Sequence, residues 1–209
     1  ALAVLEETKV STYRSVSQQT SNVIYGLAKM GFKWASIPLH VQEGIEDAIR
    51  NVIKYMNEQE VANTIYSFSL LGVSWDQLSG NVRNDMVKIA SLKMERMIPQ
   101  GLSNTLYGMA LMGARWHDDT NDVYQTSVEA AITKNFGTSF PRTLANDKER
   151  GSYLTLGGMP DSSQAIANVI YSLGITGAVW HEFRTETREA LYDGVVRWAP
   201  ELTSQELSN

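Results

Sequence analysis

Two kinds of apolar pattern alternate along the chain. In Val82-Arg-Asn-Asp-Met-Val-Lys-Ile-Ala-Ser-Leu-Lys-Met-Glu-Arg-Met97 the apolar residues recur at three- and four-residue steps, with charged residues between them. That is the pattern of an amphipathic helix with one solvated face. The same reading predicts helices at about 42–56, 81–96, 122–136 and 183–198. Before each of them lies a segment of about 13 residues that is apolar nearly all round, such as Ile65-Tyr-Ser-Phe-Ser-Leu-Leu71. A helix of that kind is buried between neighbours. A glycine follows each such segment, and glycine takes the left-handed conformation of a helix end at no steric cost. The chain is therefore predicted to be pairs of helices, a buried first helix and a solvated second one. Residues 1–14 read as the second helix of a preceding pair.

The first helices share a phrase. It reads Gln18-Gln-Thr-Ser-Asn22, Gln59-Glu-Val-Ala-Asn63, Gln100-Gly-Leu-Ser-Asn104, Gln164-Ala-Ile-Ala-Asn168 and Gln205-Glu-Leu-Ser-Asn209. Asn22, Asn63 and Asn104 are 41 residues apart, as are Asn168 and Asn209, whereas Asn104 and Asn168 are 64 apart. Every full copy continues with Tyr, Gly and Trp at fixed offsets: Tyr25, Gly31, Trp34; Tyr66, Gly72, Trp75; Tyr107, Gly113, Trp116; Tyr171, Gly177, Trp180. A period in this range predicts an all-α fold, an α-solenoid of stacked helix pairs. The expected organisation is one array over 1–209. It comprises a partial unit at 1–17, repeats at 18–58, 59–99, 100–163 and 164–204, and the start of another at 205–209. The long third unit carries a polar insertion near 137–160, rich in Gly and Pro, which reads as a functional or disordered loop rather than a domain. Opening in a second helix and stopping inside a repeat phrase, the chain reads as part of a longer array.

Composition changes this picture little. The 209 residues are 43% hydrophobic and 20% charged, ordinary for a folded chain. The net charge of -5 argues mildly against a surface built mainly for phosphates, without excluding a local basic stripe. With no cysteine, disulfides and cysteine-ligated metals are excluded. No apolar run is long enough to span a membrane, so no membrane insertion is expected.

The phrases Met56-Asn-Glu-Gln-Glu-Val-Ala-Asn-Thr-Ile-Tyr66, Pro99-Gln-Gly-Leu-Ser-Asn-Thr-Leu-Tyr107 and Leu111-Met-Gly-Ala-Arg-Trp116 resemble octotricopeptide-type helical repeats. The first helix of that family reads Pro-Gln-x-Leu-Ala-Asn-x-Leu-Trp-Ala-Leu-Ala-x-Leu-Gly. Related arrays occur in RAP-domain proteins of algae and other protists. The resemblance covers almost the whole chain outside the insertion. Here Tyr stands where the family usually has Trp, the units are longer, and only Ile37-Pro38 matches the family's Pro-rich inter-helix phrase. The resemblance implies an α-solenoid that binds single-stranded RNA in a mitochondrion or chloroplast. It also implies roles in transcript stability, processing, translation or ribosome assembly. The alternative is a protein-binding scaffold subunit of a large organellar complex.

An RNA- or partner-binding face is expected on the first helices. The repeated Asn22, Asn63, Asn104 and Asn168 offer amides that both donate and accept. Their identity from unit to unit suits a stacking ladder better than a reader of varying sequence. Variable positions are the better place for partner choice: Gln19, Glu60, Gly101 and Ala165, three before each Asn, with Val23, Thr64, Thr105 and Val169 on the same helical face. Next on that stripe come Gly26, Ser67, Gly108 and Ser172, small residues that permit close helix approach. The repeated tyrosines and tryptophans read as core, in preference to base-stacking platforms. Lys29, Lys33 and Arg115 are candidate phosphate contacts, or complements to helix C-termini. An enzyme is not expected. His117-Asp-Asp-Thr-Asn-Asp122 holds possible metal ligands but also the expected caps of the next helix. Neither Gly137-Thr-Ser-Phe140 nor Leu156-Gly-Gly158 matches a phosphate or dinucleotide loop, so no cofactor, metal or small-molecule substrate is assigned.

Overall fold

The computed structural model describes residues 2–137 and 162–198. Over these residues it is all-helical, with no strand. The helices in order are α1 (Leu2–Lys29), α2 (Leu39–Val52), α3 (Glu58–Leu70), α4 (Gly80–Lys93), α5 (Pro99–Met112), α6 (Asp122–Phe136), α7 (Ser162–Thr176) and α8 (Thr185–Trp198). The first helices α1, α3, α5 and α7 pack each against the next, and the second helices α2, α4, α6 and α8 do the same beside them. The core lies within and between the two rows, and includes Ile65, Phe68, Leu102, Met109, Val128 and Ile132. No described helix is long and apolar enough to cross a membrane.

The punctuation explains the repetition. Gly31, Gly72, Gly113 and Gly177 all have positive φ, between 73 and 86°. Each closes a first helix in the same way. The Gly113 N–H donates to the Ala110 carbonyl and the Ala114 N–H to the Met109 carbonyl, and matching pairs occur at the other three glycines. This double bond pattern satisfies carbonyls that the last helical turn leaves open. A short 3-10 turn then holds the tryptophan, as at Trp34–Ser36, Trp75–Gln77 and Trp180–Glu182. Helix starts are marked as clearly. Asn57 and Glu60 form a capping box at α3, Pro99 occupies the first turn of α5, and the Asn121 side chain accepts from Tyr124 N–H at α6.

Three expectations need correction or fall outside view. Residues 1–14 and the first repeat are not two helices: α1 runs unbroken from Leu2 to Lys29. The position equivalent to the cap Asn57 is Val16, and no Pro or Gly lies nearby, so nothing ends the helix there. Of the four tryptophans at the repeat position, Trp34, Trp75 and Trp116 are core, but Trp180 is 48% exposed. The insertion (138–161) and the Gln205–Asn209 phrase lie outside the described residues. The helices on either side of the insertion still pack as consecutive pairs, α7 on α5 and α8 on α6.

Candidate binding face on the first helices

Each first helix carries stripes with separate duties. The stripe with the residue three before the Asn, the one after it and the one four after it meets the preceding first helix. Ser17 Oγ on α1 donates to Glu60 Oε2 at 2.9 Å, and Ser21 Oγ to the Glu60 carbonyl at 3.3 Å. A Cβ placed on Gly108 would come within 2.9 Å of Tyr66 Cα and 3.0 Å of the Ile65 carbonyl group. Gly101, Thr64, Thr105, Ala165 and Val169 are therefore buried at helix–helix junctions. This corrects the expectation that these positions form an exposed reading stripe. Glu60 bridges to α1 through Ser17 and Ser21, whereas Gly101 and Ala165, at the same repeat position, are simply buried. Gln19 and Val23 are exposed because no first helix precedes α1 among the described residues.

The open stripe is the one built from the constant residues. Along it lie Gln18, Asn22, Tyr25 and Lys29; Gln59, Asn63, Tyr66 and Leu70; Gln100, Asn104, Tyr107 and Leu111; Gln164, Asn168, Tyr171 and Ile175. Spacings of three and four residues keep each set on one helix face. All of these residues are exposed or half-buried except Asn63, which is 5% exposed. Among the described residues, no side-chain hydrogen bond engages Asn22, Asn63, Asn104 or Asn168. A ladder in which each Asn is bonded to the next unit is thus not what joins the helices. The tyrosines are not core either. The rings of Tyr66, Tyr107 and Tyr171 run along the open face as a ladder, with centroids 6.3 Å apart for Tyr66–Tyr107 and 6.0 Å for Tyr107–Tyr171. Partial burial raises the Tyr66 phenol above its ordinary pKa, and Tyr107 beside it adds to the effect.

The candidate phosphate contacts stand at the margin of this face. Lys29 is exposed in the last turn of α1. Lys33 Nζ donates to the Leu70 carbonyl at 3.4 Å, at the C-terminal end of α3. The Arg115 guanidinium is held by Asp119 at 3.1 Å and Asp118 at 3.4 Å, and these carboxylates raise its pKa further. Two of the three cations are thus already engaged within the chain. The His117–Asp122 cluster is structural in the same way: Thr120 Oγ1 donates to the Trp116 carbonyl, and Asp119 also accepts from the Arg115 backbone N–H. His117 Nε2 lies 3.4 Å from Glu182 of the next unit, and no group of three or more potential ligands gathers among the described residues.

The tyrosine row and the exposure of Trp180 are surface features that sequence reasoning, which read these residues as core, missed. The offset of three from Asn to Tyr held the clue, since it puts both residues on one face. Comparison with protein-family models, curated proteins and solved structures finds no match to this chain.

Proposed function

We propose that the helix pairs form a right-handed α-solenoid with a period of 41 residues, and that its first-helix face binds single-stranded RNA without catalysing a reaction. One observation carries the reading: constant Asn amides, unengaged within the described chain, run beside a ladder of tyrosine rings. Aromatic faces stack on any base, and amides donate to and accept from base edges or the sugar–phosphate backbone. A face that repeats the same groups in each unit recognises what recurs along a polymer, so the contact is sequence-tolerant. The resemblance to octotricopeptide-type repeats extends this to an organellar transcript or ribosomal RNA, with a role in stability, processing, translation or ribosome assembly.

A second reading has its own support. The open stripe carries a single cation, Lys29. An extended polypeptide, which both donates and accepts along its backbone, fits a neutral amide row without needing positive charge. In that case the array is a scaffold subunit of a large complex.

Titration with random single-stranded RNA at two salt concentrations tests the first reading. Binding should weaken when Tyr107→Ala and Asn104→Ala are combined. Three cations at most contact phosphate, so the slope of log K against log salt should be no steeper than about -2. A folded protein that binds no RNA at low salt sinks this reading and leaves the polypeptide one.

A further inference from the structure

The open face offers the same chemistry in successive units. The positions that vary, Gly101, Thr64, Thr105, Ala165 and Val169, are buried at the helix junctions, out of a ligand's reach. What α3, α5 and α7 present instead is one repeated set of groups. Each has a glutamine and an asparagine amide, a tyrosine ring and, at the end of the stripe, an aliphatic side chain: Leu70, Leu111 or Ile175. The aliphatic residues neither donate nor accept hydrogen bonds, so the amides and the ring hold whatever base preference a unit has. A preference that is identical in each unit sums only along a strand that repeats one base. In a mixed strand it is met at some units and missed at others.

The strand must turn its bases, not its phosphates, to this face. Lys33 is engaged with the Leu70 carbonyl at 3.4 Å, and Arg115 with Asp119 at 3.1 Å and Asp118 at 3.4 Å. Lys29 is the one cation on the stripe. Bases cannot slot between the tyrosines either. Neighbouring rings are tilted by 37° for Tyr66–Tyr107 and 52° for Tyr107–Tyr171, with centroids 6.3 and 6.0 Å apart. An inserted base needs parallel rings about 7 Å apart, twice the rise of about 3.4 Å between stacked bases. A base therefore lies on the outer side of the ladder, where contact area decides, and a two-ring purine covers more of it than a one-ring pyrimidine.

Of the two purines, adenine suits the amides. Its N6 amino group donates and its N7 accepts, a pattern that a side-chain amide meets with two bonds at once. Guanine shows two acceptors, O6 and N7, along the same edge, which Arg or Lys matches and an amide does not. Asn104 and Asn168 stand half-buried, three residues before Tyr107 and Tyr171, with no side-chain bond within the described chain to break. Asn63, 5% exposed, has the least reach of the row. We propose that the face takes a run of adenylates, bases inward and phosphates to solvent. The inference rests on the RNA-binding reading and narrows it to one recurring base; mixed strands still bind, more weakly, through stacking.

Fluorescence anisotropy with the whole chain tests it, using labelled oligoadenylate, oligouridylate, oligocytidylate and a mixed-sequence strand of equal length. Oligoadenylate should bind about tenfold tighter than each of the others, the discrimination of a single good bidentate contact. Asn104→Ala combined with Asn168→Ala should bring oligoadenylate down to the level of the mixed strand. Tyr107→Phe, which keeps the ring, should leave the preference in place, and circular dichroism checks that both variants fold. Equal affinity for all four strands, or tighter binding of another run, overturns the adenylate inference and leaves the RNA reading standing. A preference that survives the folded double Asn variant overturns it as well. Failure to bind any strand at low salt sinks both. The wild-type comparison decides alone if the double variant does not fold.

Discussion

Replacing Gly108 by Ala should force α3 and α5 apart. The added Cβ would stand 2.9 Å from Tyr66 Cα and 3.0 Å from both the carbon and the oxygen of the Ile65 carbonyl. All three are backbone atoms, which cannot rotate away as the end of a side chain can. Overpacking of this kind costs about 1–3 kcal/mol, and a clash with backbone belongs in the upper half of that range. Alanine returns about 1 kcal/mol through its better helix propensity. The net expectation is a loss of about 1–2 kcal/mol. Gly26 supplies the control, because it holds the same repeat position on α1 and nothing lies within 4 Å of its missing Cβ. Gly26→Ala should therefore gain about 0.5–1 kcal/mol from propensity alone. Urea unfolding measures the global difference. Native-state hydrogen exchange of α3 and α5 amides locates it, since repeat arrays open unit by unit. The same separation widens the 6.3 Å interval between Tyr66 and Tyr107, so Gly108→Ala should also weaken ligand binding while Gly26→Ala leaves it unchanged. Equal stability of the two variants would refute the close approach on which the geometry of the open face depends.

Other expectations follow from the same repeat positions. Trp75→Ala removes a fully enclosed ring and should cost about 3–5 kcal/mol in thermal or urea unfolding, whereas Trp180→Ala should cost under about 1 kcal/mol. Ser67 Oγ is the one buried side-chain polar atom without a partner among the described residues, so Ser67→Ala should be neutral or stabilising by up to about 1 kcal/mol in the same assay. Burial pushes the phenol of Tyr124 well up, and that of Tyr66 is raised too. Above the ordinary tyrosine pKa of about 10 the unfolded chain therefore releases protons that the folded one keeps, and stability, undiminished below that pH, falls as pH rises beyond it. Tyr124→Phe should lessen that alkaline loss, read from urea midpoints at rising pH.

The helix ends were legible because local rules decide them. The glycines adopt positive φ as expected, and the proline in the first turn of α5 and the Asn57–Glu60 capping box of α3 act just as locally, within a few residues. The continuous α1 follows the same logic in reverse, since no such residue stands at Val16–Ser17. The stripes of the first helices were not legible in this way. Periodicity tells which residues share a face but not which neighbour the face meets, and a first helix surrounded on three sides has no single apolar side. Glu60 is bonded to Ser17 and Ser21 of α1 while Gly101 and Ala165 are buried at the same repeat position, and from sequence that variation looks the same as a recognition code.

Constancy and exposure together carry more weight than either alone. Gln, Asn and Tyr recur in every full unit, yet the structure assigns the constant Asn no bond within the described chain and leaves the constant Tyr half-open. A stacking role would demand constancy at the junctions, where the residues instead vary between Glu, Gly and Ala. In the proposed function, these constant polar groups, of which Asn63 alone is buried, meet a partner that repeats as regularly as the helices do. The proposal is therefore of a polymer lying across the first helices and held by its recurring groups, with only the residue at the end of each stripe, Lys29, Leu70, Leu111 or Ile175, changing from unit to unit.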